Sequence, residues 1–230
     1  MPRYDYLLFD ADHTLFDFDT AEEQALRATL LDHGYPADPD TLDFYHSVNH
    51  LLWHRFDLGE ISREELAVER FSLLIRSLGG DQDPAGMNRD YLSHLAEHGE
   101  LFPGAEALCR ELSAHCTLAI VTNGMAAAQR GRFARSPLGA LIPWIFISEE
   151  VGHQKPEAAF FQRVLAAMDI SDPSRAVVIG DNLHSDIQGG INAGLDTIWY
   201  HPQGGENNSA IHPTYTAASY EELRDYLLVP

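Results

Sequence analysis

Cysteine is nearly absent from this 230-residue chain, with Cys109 and Cys116 its only two. So few argue against a disulfide-built scaffold and lead us to expect two buried free thiols in a reducing cytoplasm. Long apolar runs are missing too. None approaches the roughly 20 residues that span a bilayer, so no membrane partner is expected. The opening Met1-Pro2-Arg3-Tyr4-Asp5 is too polar, and too short before the first acids, to read as a signal peptide. Basic residues are scarce: 15 Lys and Arg stand against 35 Asp and Glu, a formal charge of −20. That balance argues against a nucleic-acid polymer or an anionic membrane. It also means that any anion site must rely on local positive groups: a lysine, backbone amides or a metal.

Apolar residues make up 45% of the sequence, ample for a sizeable core, and the length suits one large domain or a core with a smaller insert. Five short apolar or β-branched runs read as strands: Tyr4–Phe9, Thr117–Val121, Trp144–Ile147, Ala176–Ile179 and Thr197–Tyr200. Helical patterns separate the last four, which predicts a parallel sheet with crossover helices. More than a hundred residues lie between the first two strands, and most carry helical signals. Thr20 with Glu23 and Ser62 with Glu65 read as capping boxes. Leu66, Leu73, Leu74 and Leu78 form a stripe at helical spacing. The expected organisation is an α/β, Rossmann-like parallel-sheet core (1–16 and 99–230) with a helical cap domain (17–98) inserted after the first strand. Ala105–Leu112 is the next core helix, His201–Thr216 a polar loop, and Ser219 with Glu222 the cap of a final helix.

The first strand delivers Asp10 and Asp12, followed by His13 and Thr14. Residues two apart in an extended segment point the same way. A strand tip has no structural need for two like charges, each of which raises the cost of ionising the other, and a nearby cation would remove the conflict. Ligands of parallel sheets bind beyond the carboxyl ends of strands, and three further ends carry polar groups. Val121-Thr122-Asn123-Gly124 opens onto a helix from Met125 and offers a hydroxyl, an amide and free N–H groups to an anion, although Thr-Asn-Gly is also a common turn. Gly152-His153-Gln154-Lys155-Pro156 places Lys155 at the expected start of a helix running to Met168. A cation there opposes the helix dipole and is best explained by an anion between them. A solvated surface lysine is the plain alternative. Gly180-Asp181-Asn182-Leu183-His184-Ser185-Asp186 ends a fourth apolar run with two acids, hard oxygen ligands that suit Mg²⁺. For Gly189, Gly190 and Gly194, close helix packing and a helix stop are the expected roles.

Together these four segments resemble the haloacid-dehalogenase superfamily: Asp10–Thr14 as its Asp-x-Asp-x-Thr motif, then Thr122, Lys155 and Gly180–Asp186. The resemblance implies an aspartyl-phosphate mechanism with Asp10 as nucleophile and Asp12 as acid and then base. It implies Mg²⁺ at Asp10, the Asp12 backbone carbonyl, Asp181 and Asp186, the last through water. Thr122, Asn123 and Lys155 would hold the phosphoryl oxygens. His13 departs from the glycine frequent at its position. The dehalogenases that name the group lack the second aspartate, so Asp12 implies phosphoryl chemistry, a phosphatase.

Three segments are similar to the bacterial pyrimidine 5′-nucleotidase branch: Phe9–Asp19, Val48-Asn49-His50-Leu51-Leu52-Trp53 and Ile147–Gly152. That likeness implies a nucleoside monophosphate substrate such as UMP, dUMP or dTMP. A sugar phosphatase, a mutase or a phospho-ligand scaffold are the alternatives. Asn49 and Trp53 share a helix face and could contact a base or sugar, or Trp53 could be cap core. His46, His50 and His54 align likewise, as do His94 and His98, but no acid completes a zinc motif, and a solvated or cap-interface face is expected. Phe16 and Phe18 fall where a hinge and flap are expected. Arg55, Arg63 and Arg70 read as surface charges.

Overall fold

Residues 2–228 are described by a computed structural model. Among them, six strands form one parallel sheet: β1 (Tyr6–Phe9), β2 (Thr117–Thr122), β3 (Trp144–Ile147), β4 (Ala176–Gly180), β5 (Asp196–Tyr200) and β6 (Tyr215–Ala217), in the order β3-β2-β1-β4-β5-β6. The register positions the chemistry. Phe9 lies opposite both Ile120 and Ile179, and Thr122 opposite Ile147. The chain therefore leaves β1, β2, β3 and β4 at nearly one level, on the carboxyl edge.

Side chains alternate across the pleat. Leu7, Phe9, Leu118, Ile120, Val177 and Ile179 enter one buried cluster, closed by α5 (Ala105–Ser113) and α10 (Tyr220–Leu228). Leu8, Ala119, Val121 and Val178 enter another, closed by α8 (Ala158–Ala167). Both faces are covered, which is why the strands read as continuous apolar runs.

Between β1 and α5 lie α1 (Phe18–Asp32), α2 (Pro39–Asp57), α3 (Arg63–Ser77) and α4 (Pro84–Leu95). These four share their own apolar cluster, centred on Tyr45, Phe71 and Tyr91, whose ring centroids stand 5.2 to 5.7 Å apart. Met125 and Ala128, at the start of α6 (Ala126–Arg135), complete it from the core side. The outgoing and returning segments are joined: Asp17 N–H donates to the Glu100 carbonyl at 3.1 Å, and Phe102 N–H to that of Leu15 at 3.0 Å.

Several local expectations need correction. Asp17, not Thr20, caps α1, because its carboxylate receives both the N–H and the hydroxyl of Thr20. The Ser62/Glu65 box is present in both directions. Within the stretch read as loop, Tyr215 and Thr216 begin β6, whose three residues are too few to carry a periodic signal. The short helices α7 (Ser148–Val151) and α9 (Gln188–Asn192) complete the core. A Cβ on Gly190 would fall 2.4 Å from the Thr197 side chain, so α9 can lie against the sheet only with glycine there. Both cysteines are free, Cys109 buried and Cys116 half-buried. No helix among the described residues is long and apolar enough to cross a membrane.

Truncating the insert's aromatic centre leaves a void that rigid neighbours cannot fill. Phe71→Ala should cost about 3–5 kcal/mol, read as a lower midpoint in urea denaturation.

Candidate active site

Lys155 organises the carboxyl edge. The residue is only 1% exposed, and its Nζ donates to Asp10 Oδ1 at 2.5 Å, to Asp186 Oδ1 at 2.6 Å and to the Val121 carbonyl at 3.0 Å. The expected helix start at Lys155 is not there: α8 begins three residues later, at Ala158. Asn123 explains why. Its side-chain amide takes both the Lys155 N–H and the Lys155 carbonyl, at 2.9 Å each, holding the main chain out of a helix. The lysine therefore opposes no dipole; it sits between two acids.

Asp10, Asp181 and Asp186 each offer an oxygen within 4.8 Å of the others. Burial, with Asp186 and Asp12 adding to it and Lys155 opposing, pushes Asp10 up to about 7. Burial and the charge of Asp10 raise Asp181 to about 7. Asp186 rises to about 6 through burial and Asp181, against the pull of Lys155. Burial disfavours the ammonium form of Lys155, but its two acid partners outweigh that and hold it protonated. Three carboxylates facing one ammonium leave an excess of negative charge in a dry space. A hard divalent cation with oxygen preference fits that donor set.

The supporting contacts are local. Thr14 Oγ1 donates to Asp181 Oδ1 at 3.3 Å, and Trp199 Nε1 to the Asp181 carbonyl at 2.7 Å. Asn182 N–H donates to Asp186 Oδ2 at 3.2 Å. At Gly180, a Cβ would stand 2.3 Å from Asp186 Oδ2, so only glycine lets the carboxylate approach. His13 has φ +62°, a left-handed backbone that favours glycine. Its exposed ring pairs with Asp19 at 2.8 Å, which, with Asp181 nearby, holds it up at about 9. Thr122 is buried and its hydroxyl accepts from Gly124 N–H at 3.0 Å, leaving the hydroxyl proton to donate.

A cavity of about 570 Å³ opens above these groups, walled by the insert. Asn49 and Trp53 both line it, in different ways. Asn49 is 2% exposed and its amide is engaged on both sides, donating to Glu22 Oε1 at 2.5 Å and accepting from Arg70 Nη1 at 3.0 Å. Trp53 is half-buried and packs edge-on to Phe56. Glu22 also receives His46 Nδ1 at 2.7 Å, and the exposed His46, His50 and His54 share the cavity wall. No His cluster with metal-ligating geometry occurs among the described residues.

Two arginines depart from expectation. Arg70 is buried, with Nη2 on Asn88 Oδ1 at 2.6 Å, because it is the cation behind the Glu22 network. Arg63 reaches from α3 to the core, where it donates to the Asn123 carbonyl and to Ser148 Oγ, each at 2.7 Å. Asp57, at the end of α2, accepts from Asn182 Nδ2 at 3.2 Å. Phe16 bridges Leu101 between the two connecting segments, and Phe18 opens α1 and lines the cavity.

Residues 4–194 match the haloacid dehalogenase-like hydrolase family. The chain belongs to that family. It is 40% identical to the pyrimidine 5′-nucleotidase PynA of Streptococcus pneumoniae over 97% of this chain and 95% of that protein. Identity to the pyrimidine 5′-nucleotidase YjjG of Escherichia coli is 34%, over 98% of each. The magnesium-bound crystal structure of the hydrolase YfnB from Bacillus subtilis superposes with a TM-score of 0.90 at 38% identity, over 96% of this chain and 97% of that one. With the second aspartate in place, this member is a phosphatase.

A cation held by Asp10, Asp181 and Asp186 would have to displace protons from them when the pH lies below about 7, 7 and 6 respectively. Mg²⁺ should therefore raise the thermal unfolding midpoint more at pH 8 than at pH 5.5. An equal rise at both would show that those acids are not its ligands.

Proposed function

We propose that this phosphatase is a Mg²⁺-dependent 5′-nucleotidase that dephosphorylates pyrimidine nucleoside monophosphates such as UMP, dUMP and dTMP. The observation that carries the reaction is the Lys155 contact. An ammonium ion fully buried against Asp10 keeps that carboxylate oriented at the edge of the sheet, where a phosphoryl group can meet it. Asp10 would attack phosphorus in line and form an aspartyl-phosphate as the ester bond breaks. Asp12 would protonate the leaving oxygen and then take a proton from the hydrolytic water. The Thr122 hydroxyl would hold a phosphoryl oxygen, and Lys155, whose three N–H bonds go to Asp10, Asp186 and Val121, would contribute its positive charge. Because the Asn123 amide is engaged with Lys155, its own share would come through the backbone N–H.

Asp10, Asp181, Asp186 and the Asp12 backbone carbonyl would hold Mg²⁺, whose charge offsets the repulsion between the acids and a phosphate dianion. The helical insert would act as a cap that excludes water while the leaving group departs.

The pyrimidine reading rests on the two named relatives and on the cavity wall. Trp53 offers an aromatic edge to a base. His46, held at Nδ1 by Glu22 and raised by that carboxylate, keeps Nε2 for a carbonyl acceptor, of which uracil and thymine each carry two. Asn49 would act from behind, fixing Glu22.

Asp10→Asn should fold normally by circular dichroism and lose turnover entirely; appreciable phosphatase activity in that variant would remove the mechanism. A panel of nucleoside monophosphates and sugar phosphates, with and without Mg²⁺, tests the substrate. Higher kcat/KM for a sugar phosphate than for UMP would sink the nucleotidase assignment.

A further inference from the structure

Asp12 is not held by the strand that delivers it. Both oxygens of its carboxylate are gripped from α6: Gln129 Nε2 donates to Oδ2 at 2.6 Å, and Arg132 Nη1 donates to Oδ1. The two donors are three residues apart and so share a helix face. They are buried, Gln129 at 4% exposure and Arg132 at 0%.

Neither donor can drift. Arg132 Nε donates to the His98 carbonyl at 3.0 Å, and its guanidinium lies 5.1 Å and 5.4 Å from the ring centres of Phe16 and Phe18. Its remaining Nη2 has no partner among the described residues. Burying an arginine with an unsatisfied nitrogen is costly, and the Asp12 carboxylate is the acid that offsets its charge. Gln129 is confined by the loop after β2, where a Cβ on Gly124 would fall 2.1 Å from Gln129 Nε2. The glycine of Thr-Asn-Gly is thus the space that the glutamine amide occupies.

We propose that Gln129 and Arg132 are positioning residues that aim the Asp12 carboxyl at the leaving oxygen. The proposal rests on the phosphatase mechanism above, with Asp12 as proton donor. A carboxylate has about four acceptor positions, so one contact on each oxygen fixes its plane and leaves lone pairs facing the cavity. As the ester P–O bond breaks, the Asp12 proton passes to the departing alkoxide oxygen. Asp12, now a carboxylate, takes a proton from the water whose oxygen attacks phosphorus of the aspartyl-phosphate; the Asp10 O–P bond breaks, inorganic phosphate leaves and the Asp10 carboxylate is restored. Proton, bond and charge are then restored.

The dependence on leaving group tests this. A nucleoside 5′-alkoxide needs a proton to depart, whereas p-nitrophenolate does not. Asp12→Asn and Gln129→Ala are compared on UMP and on p-nitrophenyl phosphate by kcat/KM, which reports the steps through departure of the leaving group. If the wild type leaves UMP intact, glycerol 1-phosphate replaces it. Gln129→Ala should lose about tenfold or more on the alkyl ester, and less than about threefold on the aryl ester. Asp12→Asn should show the same selectivity more strongly. Equal losses on both esters in Gln129→Ala, with selective loss in Asp12→Asn, would overturn the positioning role and leave the mechanism standing. Unselective loss in Asp12→Asn would overturn the mechanism itself. Gln129→Asn, which withdraws the amide by one methylene, and Arg132→Lys repeat the comparison should the alanine variant fail to fold.

Discussion

A single ammonium group held among carboxylates, out of water, is the constraint from which the rest of the site follows. Lys155 can stay charged in a buried position only because Asp10 and Asp186 face it and the Val121 carbonyl takes a third donor. Those partners come from three strand ends, so the lysine fixes the spacing of the loops after β1, β2 and β4. The Asn123 amide then pins the lysine's own main chain. Removing any one of these groups would leave an uncompensated polar atom in a dry space, which is why the cluster behaves as a unit.

The insert is tied into that unit rather than resting on it. Arg63 reaches the Asn123 carbonyl and Ser148, and Asp57 reaches Asn182. The turn between α2 and α3 thus touches loops after β2, β3 and β4. Movement of the insert must break contacts to residues that themselves hold Lys155 and flank Asp181. Access to the cavity and order at the sheet edge are coupled through these few hydrogen bonds.

Much of this was legible in the residue order. Strand ends that finish in acids, hydroxyls or lysine are local patterns, and the register of a parallel sheet brings such ends together almost automatically. Trp144–Ile147 was read to the residue because its flanks change character abruptly. What stayed hidden depends on tertiary partners. Arg70 reads as a surface charge because nothing in sequence announces Asn49 and Asn88 as its buried partners, and nothing pairs Arg132 with Asp12. The Lys155 segment carries a proline suited to a helix start, and only the distant Asn123 overrides it. Gly124 reads as a turn residue, while its missing side chain is what admits Gln129. Propensity is a weak guide where a side chain from another loop competes for the backbone.

The two aspartates of β1 end up in opposite surroundings, and that resolves how so acidic a chain can take an anionic substrate. Asp12 is matched by an arginine of its own and adds little to the excess charge. Asp10 shares one lysine with Asp186, and Asp181 stands beside them with the His13 imidazole nearby. At neutral pH such a site would repel a phosphate dianion, whatever the charge on the distant surface, since surface charges beyond roughly 8 Å are largely screened. If a divalent cation binds among Asp10, Asp181 and Asp186, as proposed, its charge would lift that repulsion. Phosphate binding and cation binding would then form one linked equilibrium, in which the local balance of these three acids outweighs the net charge of −20.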